Sequence, residues 1–388
     1  MGMKRLYRTR DGLVSLKPQS GSNGRLLLSY LTAPFENPSM LAKFAGHSSY
    51  WECHQIGQIF LDMGYEVDVI NWDTDALPRD RNYSICIDIH RNLEKFASHL
   101  DSACIKILHI TGAHWLYQNE AEYRRCLELQ MRRGVTVVPR RQVPPSLGIE
   151  FADCATLLGN EFTESTFAYA GKRIFRIPLS STVAFPTPVS KDFDRCRHRF
   201  IWLGGSGAVH KGLDRVLEAV ASTSDIELVI CGRIREETDF VEAYSSELDH
   251  TANIQTKGWV DIASPQFAEM VQNAVGLIYP TCSEGQAGSV ITALHAGLIP
   301  IVSRQAGVSV DGFGFTLETC AVSEIRHWLQ HVRDLPAQEL AMRAQEAWRY
   351  AQANHTKEAF TKHYREAVLQ VLRDHDRSPN HLLEDKRG

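Results

Sequence analysis

Apolar residues in this 388-residue chain come in short runs separated by amphipathic stretches, and the alternation repeats along most of its length. RLLLSYLT (25–32), YEVDVINW (65–72), YSICIDIH (83–90) and IKILHIT (105–111) are β-branched or leucine-rich runs of strand length. Between the first two, SYWECHQIGQIFLDMG (49–64) sets Trp51, Ile56, Ile59, Phe60 and Met63 at helical spacing and ends on Gly64, as a C-cap would. A short helix, NLEKFASHL, separates the next two strands. The pattern continues with a helix over 119–134, strands over 135–140 and 152–159, a helix over 160–171 and a strand over 173–180.

The Pro-containing stretch 182–199 has the composition of an interdomain linker, and the alternation then restarts. FIWLGG (200–205), IELVICG (226–232), NIQTKGWV, VGLIYPT (275–281) and IPIVS are strand-like, each followed or separated by a helical pattern. The chain closes with three helical stretches. Repeated strand–helix alternation predicts parallel sheets covered by helices on both faces. Two such sets predict two doubly wound domains with a cleft between them, over 25–188 and 189–355. A last helix (356–375) follows, with flexible segments at 1–24 and 376–388. Ligands of such sheets bind at the carboxyl ends of the strands, so the residues just after each strand are the candidates.

Composition narrows the chemistry. A net charge of −4 gives no global basic field for nucleic acid. The nine cysteines are scattered without a CxxC, which suits a reduced, cytoplasmic setting. No HExxH or Cys/His cluster has metal-site spacing, and no apolar run approaches a membrane span. Arg132, Arg133, Arg140 and Arg141 cluster in MRRGVTVVPRR. They read first as a solvated face, and otherwise as a contact for an anionic acceptor or for the inner face of a membrane.

Three turns stand where ligands are expected. After FIWLGG, Gly204, Gly205 and Ser206 lead to Lys211 at the start of a helix, where a cation and the helix N-terminus both favour phosphate. A solvated lysine after a glycine turn is the plainer alternative. After VGLIYPT comes TCSEGQAGS. The amides of Gly285, Gln286, Ala287, Gly288 and Ser289 make an anion nest, while Glu284 either accepts hydrogen bonds from hydroxyls or only stabilises the helix start. In the first domain, Gly46, His47 and Ser48 precede a helix as a ligand turn or an N-cap. His109 and His114 flank the end of strand 105–111, on the side of the cleft; a lone strand histidine is more often a satisfied core residue, and two at a strand end tilt the reading towards function.

These motifs, read together, resemble the retaining glycosyltransferases of family 4. GSGAVHKG carries the family's Lys-Gly pair at Lys211–Gly212. YPTCSEGQAG follows its Pro-Ser/Thr-x-x-Glu-Gly-x-Gly segment with Ala287 in place of the second Gly, and HAG with Pro300 continues it. The resemblance spans roughly 25–373 and implies the GT-B fold, with a C-terminal helix crossing back to the first domain. It implies transfer of a sugar from a nucleotide-sugar, UDP- or GDP-linked, to a glycan, lipid-linked or small-molecule acceptor with retention and without a metal. Lys211 and the amides at Gly288 and Ser289 would hold the diphosphate, Glu284 would face the sugar, and His109 would line the cleft. The chain departs from the family at two places. Thr292 stands where a second Glu binds the ribose, and Ser206 stands where an Arg joins the Lys on the diphosphate, with His210, Arg233 and the linker arginines as substitutes. Other GT-B chemistry, epimerisation or phosphorolysis, and a non-catalytic sugar-binding role are the alternatives.

Overall fold

The computed structural model describes residues 7–8, 12–19, 21–37, 39–43, 48–76, 82–181 and 183–376. Each half is built on its own sheet. The first runs, edge to edge, Tyr7–Arg8, Val14–Leu16, Tyr65–Asn71, Gly24–Tyr30, Ile85–Asp88, Ile105–Ile110, Cys154–Leu158 and Arg173–Ile177. All pairings from Tyr65–Asn71 onward are parallel. The second runs Ile254–Gly258, Glu227–Cys231, Arg199–Leu203, Gly276–Tyr279, Ile299–Ser303 and Phe315–Leu317, parallel throughout.

The apolar runs explain the layers. In Gly24–Tyr30, Leu26, Leu28 and Tyr30 pack into one core and Leu27 into another, so the strand is covered on both faces. Helix Ser48–Asp62 buries Cys53, Ile56, Ile59 and Phe60 at helical spacing. Helix Lys357–Asp374 returns from the second domain and packs on the first, with Phe360 edge-on to Trp51 at 5.5 Å between ring centres.

Three elements differ from the sequence pattern. Segment 1–24 is not only an arm: Val14–Leu16 pairs antiparallel with Tyr65–Asn71, and Val14 is fully buried. Residues 135–140 form no strand. Val138 N donates to Asp239 and Arg140 N to Glu122, so carboxylates take amides that a ladder would have used. Phe315–Leu317 forms an edge strand that the pattern did not mark.

The two domains are joined by charge. Helix Trp115–Arg133 belongs to the first domain, yet its C-terminal end lies against the second. Arg132 bonds Asp214 at 2.6 Å and Glu218 at 3.0 Å, Arg133 bonds Glu247 at 2.8 Å, and Arg140 bonds Asp239 at 2.6 Å. The arginine cluster read as a solvated face is thus largely an interdomain seam.

Candidate functional site

The second sheet reverses strand order between Arg199–Leu203 and Gly276–Tyr279, and the loops after these two strands form one wall of the interdomain cleft. The cleft encloses about 630 Å³ and is lined from both domains. Gly204, Gly205 and Ser206 line it directly. A Cβ on Gly204 would lie 2.4 Å from the Trp202 ring, so that position needs glycine. The Glu237 carboxylate accepts from the amides of Gly207 and Ala208 at 2.6 and 3.1 Å and fixes the turn.

Lys211 lies just before Gly212, the left-handed residue at φ 72° that starts helix Leu213–Ala221. Its side chain is almost wholly buried. Nζ is 2.6 Å from Glu284 Oε1 and 5.7 Å from the centre of the Tyr279 ring. The Tyr279 hydroxyl donates to the same carboxylate oxygen at 2.9 Å. Burial opposes ionisation of Glu284, but Lys211, His210 and Arg141 outweigh it and hold the carboxyl down at about 2. The site therefore presents a fixed carboxylate–ammonium pair rather than a lone acid.

The turn that carries Glu284 is held from beneath. His210 Nε2 meets the Ser283 carbonyl at 2.6 Å, Cys282 N donates to the His210 carbonyl at 2.9 Å, and Ser303 Oγ donates to the Thr281 carbonyl at 2.6 Å. Gln286, Ala287, Gly288 and Ser289 line the cleft as helix Gly288–His295 begins, and Thr292 lines it one turn further in. Gly285 does not line it. Its carbonyl accepts from Thr163 Oγ1 at 2.8 Å, and a Cβ there would lie 2.4 Å from the Thr111 carbonyl oxygen. It is a docking point on the first domain, not a wall of the site.

From the first domain come Ser48 and Glu52 of helix Ser48–Asp62, Tyr30, Ser180 and Arg141. Arg141 was grouped with the surface arginines in sequence, yet it reaches the cleft. The Glu122 carboxylate accepts from its amide at 2.9 Å, Gln118 donates to its carbonyl at 2.6 Å, and a Cβ on Gly207 would lie 2.5 Å from its Cγ. His210, Arg233 and the linker arginines do not line the cavity. His210 is buried and pushed down to about 4 by desolvation, and Arg233 lies over the Trp259 ring. The second cation of the cleft therefore comes from the opposite domain.

His109 is not at the cleft. It is fully buried, bonds Thr156 Oγ1 through Nδ1 at 2.8 Å, and meets Tyr364 edge-on. Burial lowers its pKa to about 3, so it stays neutral. The signal was present in sequence: Ile105, Ile107 and His109 share one face of the strand, and the isoleucines are core. His114 caps helix Trp115–Arg133 and lines a smaller, first-domain cavity of about 290 Å³ that shares Trp72, Thr111 and Arg141 with the main cleft. Gly46 and His47, like residues 377–388, lie outside the described residues. Among the described residues, no group of three His, Cys, Asp or Glu side chains is placed to hold a metal, and no helix is long and apolar enough to cross a membrane.

Residues 197–333 match the family model described as glycosyl transferases group 1. No curated protein matches the chain by sequence. Among solved structures the chain is similar to sucrose-phosphate synthase from Thermosynechococcus elongatus, with 13% identity over 90% of this chain and 99% of that one and a TM-score of 0.62. It is also similar to HepE of Anabaena in complex with UDP (13% identity, 90% and 100% covered, TM-score 0.57) and in complex with UDP-glucose (13%, 74% and 79%, TM-score 0.52). The architecture is the GT-B fold that these structures share.

Proposed function

We propose that this chain, a GT-B protein whose second domain matches the group 1 glycosyl transferases, moves a sugar from a nucleotide-sugar to an acceptor hydroxyl with retention of configuration. The observation that carries the reading is the Lys211–Glu284 pair beside the Gln286–Ser289 turn, at the strand-order switch point. When a donor enters, Lys211 turns to the diphosphate and the amides at Gly288 and Ser289 add fixed dipoles. Arg141 supplies a second positive charge from the facing wall. Glu284 is then free to accept hydrogen bonds from the sugar hydroxyls, and Thr292 offers one neutral bond to the ribose.

Reaction at the anomeric carbon breaks its bond to the diphosphate oxygen, and the electron pair leaves with the nucleotide. The acceptor oxygen bonds on the same face, and its proton passes to the departing phosphate. Lys211 and Arg141 stabilise the charge that builds on that phosphate. The donor is a UDP- or GDP-linked hexose. The acceptor is a glycan, lipid-linked or small hydroxylated molecule that enters by the cavity bordered by Trp72, His90 and Trp115. The setting is cytoplasmic polysaccharide synthesis.

A thermal-shift screen with UDP, GDP, ADP and their sugars tests the reading. UDP or GDP raises the melting temperature if the donor site is as described. Indifference to all three nucleotides and to their sugars overturns it.

A further inference from the structure

Two buried polar atoms on the first-domain side of the cleft have no hydrogen-bond partner, although the Glu52 carboxyl as a whole is bonded by the Ser48 side chain and the Ser180 amide. Glu52 is 1% exposed, borders the cavity, and its Oε1 makes no hydrogen bond. Ser180, 2% exposed, also borders the cavity, and its Oγ makes none. The two are neighbours, because the Ser180 amide bonds the Glu52 carboxyl. An unsatisfied buried polar atom costs about 1–3 kcal/mol, so two of them on neighbouring residues that border a ligand cavity point to a polar group that arrives with the ligand.

The position of the pair is fixed from three sides. Leu179 N donates to Gln286 Oε1 at 2.7 Å, His355 Nδ1 meets the Leu179 carbonyl at 2.9 Å, and Ser181 N donates to the His355 carbonyl at 2.9 Å. A methyl added at Gly288 would lie 3.7 Å from Leu179 Cδ2. The pair therefore stands next to the Gln286–Ser289 turn, the end of the cleft where the diphosphate gives way to sugar in the reading above. A hydroxyl fits, because it can donate to Glu52 and both accept from and donate to Ser180.

We infer that Glu52 and Ser180 form a hydroxyl-binding subsite that recognises one hydroxyl of a neutral sugar ring, held beside the Gln286–Ser289 turn. The inference takes the ring's identity from the nucleotide-sugar reading, and takes the subsite itself from the two unpartnered atoms. The ring is either the sugar of the donor or that of the acceptor, and titration separates the two.

Calorimetric titration of wild type, Glu52→Gln and Ser180→Ala with UDP, with UDP-glucose, and with glucose on the UDP-saturated protein provides the test. UDP affinity stays within about twofold in all three proteins, while each variant binds a sugar-bearing probe about tenfold more weakly. Loss confined to UDP-glucose assigns the hydroxyl to the donor, and loss confined to glucose assigns it to the acceptor. Variants that bind both probes like wild type overturn the subsite. So do variants that lose UDP in the same proportion, because the pair then only shapes the cavity. A wild type that ignores UDP but binds glucose, with the variants weakened, overturns the nucleotide reading and leaves the subsite standing. A wild type that binds no probe overturns both.

Discussion

The guanidinium of Arg132, in the first domain, lies 2.6 Å from the carboxylate of Asp214, in the second, and the Asp214 side chain has no exposed surface. Burial pushes the Asp214 pKa up, and Arg125, Arg132 and Arg215 pull against that push. Removing Arg132 leaves the buried carboxylate with less compensation. Breaking a buried pair costs about 3–5 kcal/mol. Arg132 is partly exposed and two other arginines remain near, so Arg132→Ala is expected to cost about 2 kcal/mol in a urea unfolding titration. In a double-mutant cycle with Asp214→Asn, a coupling indistinguishable from zero would show that the seam does not hold the domains together.

Lys211 and Glu284 share one ion pair in the free protein but take different tasks once a nucleotide-sugar is bound. Lys211→Ala is expected to weaken UDP binding by about 10- to 100-fold, the worth of a hydrogen bond to a charged group. Glu284→Gln is expected to leave UDP affinity nearly unchanged and to weaken UDP-glucose. Titration calorimetry reads both. Equal loss of UDP in the two variants would refute this division of roles.

Much of this site could be read from the chain, and the missing part has a common physical cause. Apolar runs of strand length report burial, which is local, so the two sheets follow from the pattern, and so does the existence of the last helix; its return to the first domain is implied by the family resemblance alone. The Gly204–Ser206 and Gln286–Ser289 turns follow from their place after strands. What the pattern could not report is which distant charge a side chain meets. Arg132 and Asp214 are 82 positions apart in sequence, and Arg141 is grouped with the seam arginines yet reaches the cleft. Glu52 reads as an ordinary polar position on an amphipathic helix, and only the folded chain shows that it borders the cavity with one oxygen unpartnered.

Gly285 and Gly205 separate docking from binding. A Cβ on Gly285 would lie 2.4 Å from the Thr111 carbonyl oxygen and 2.8 Å from that of Leu158, both backbone atoms of the other domain. Overpacking of this kind costs about 1–3 kcal/mol. Gly285→Ala is expected to lower the melting temperature and to slow transfer by forcing the domains apart. Gly205 has open space where a Cβ would stand and borders the cavity, so Gly205→Ala is expected to keep the melting temperature and weaken nucleotide binding. Differential scanning fluorimetry with and without UDP checks the contrast. A Gly285→Ala protein as stable as wild type would mean the interdomain contact yields easily.

Acid should loosen this fold below about pH 6.5. Burial holds His109 at about 3 and His210 and His355 at about 4, against a usual 6.5. Above pH 6.5 these rings are neutral folded and unfolded alike, and they add no pH dependence. Below 6.5 the unfolded chain takes up protons that the folded chain refuses, and stability falls by about 1.4 kcal/mol per pH unit for each ring. Glu52 acts in the opposite sense. Burial lifts it from 4.5 to about 7, so between those values the folded state holds a proton that the unfolded state has released. It offsets about one of the three histidines. From these four groups alone the expectation is a loss of roughly 2–3 kcal/mol per unit between about pH 6.5 and 4.5. Urea titrations at pH 7 and pH 5.5 read the slope directly, and His355→Asn should make it shallower by about one proton's worth. Stability that stays level across this range would mean that the three rings are free to take up protons in the folded protein.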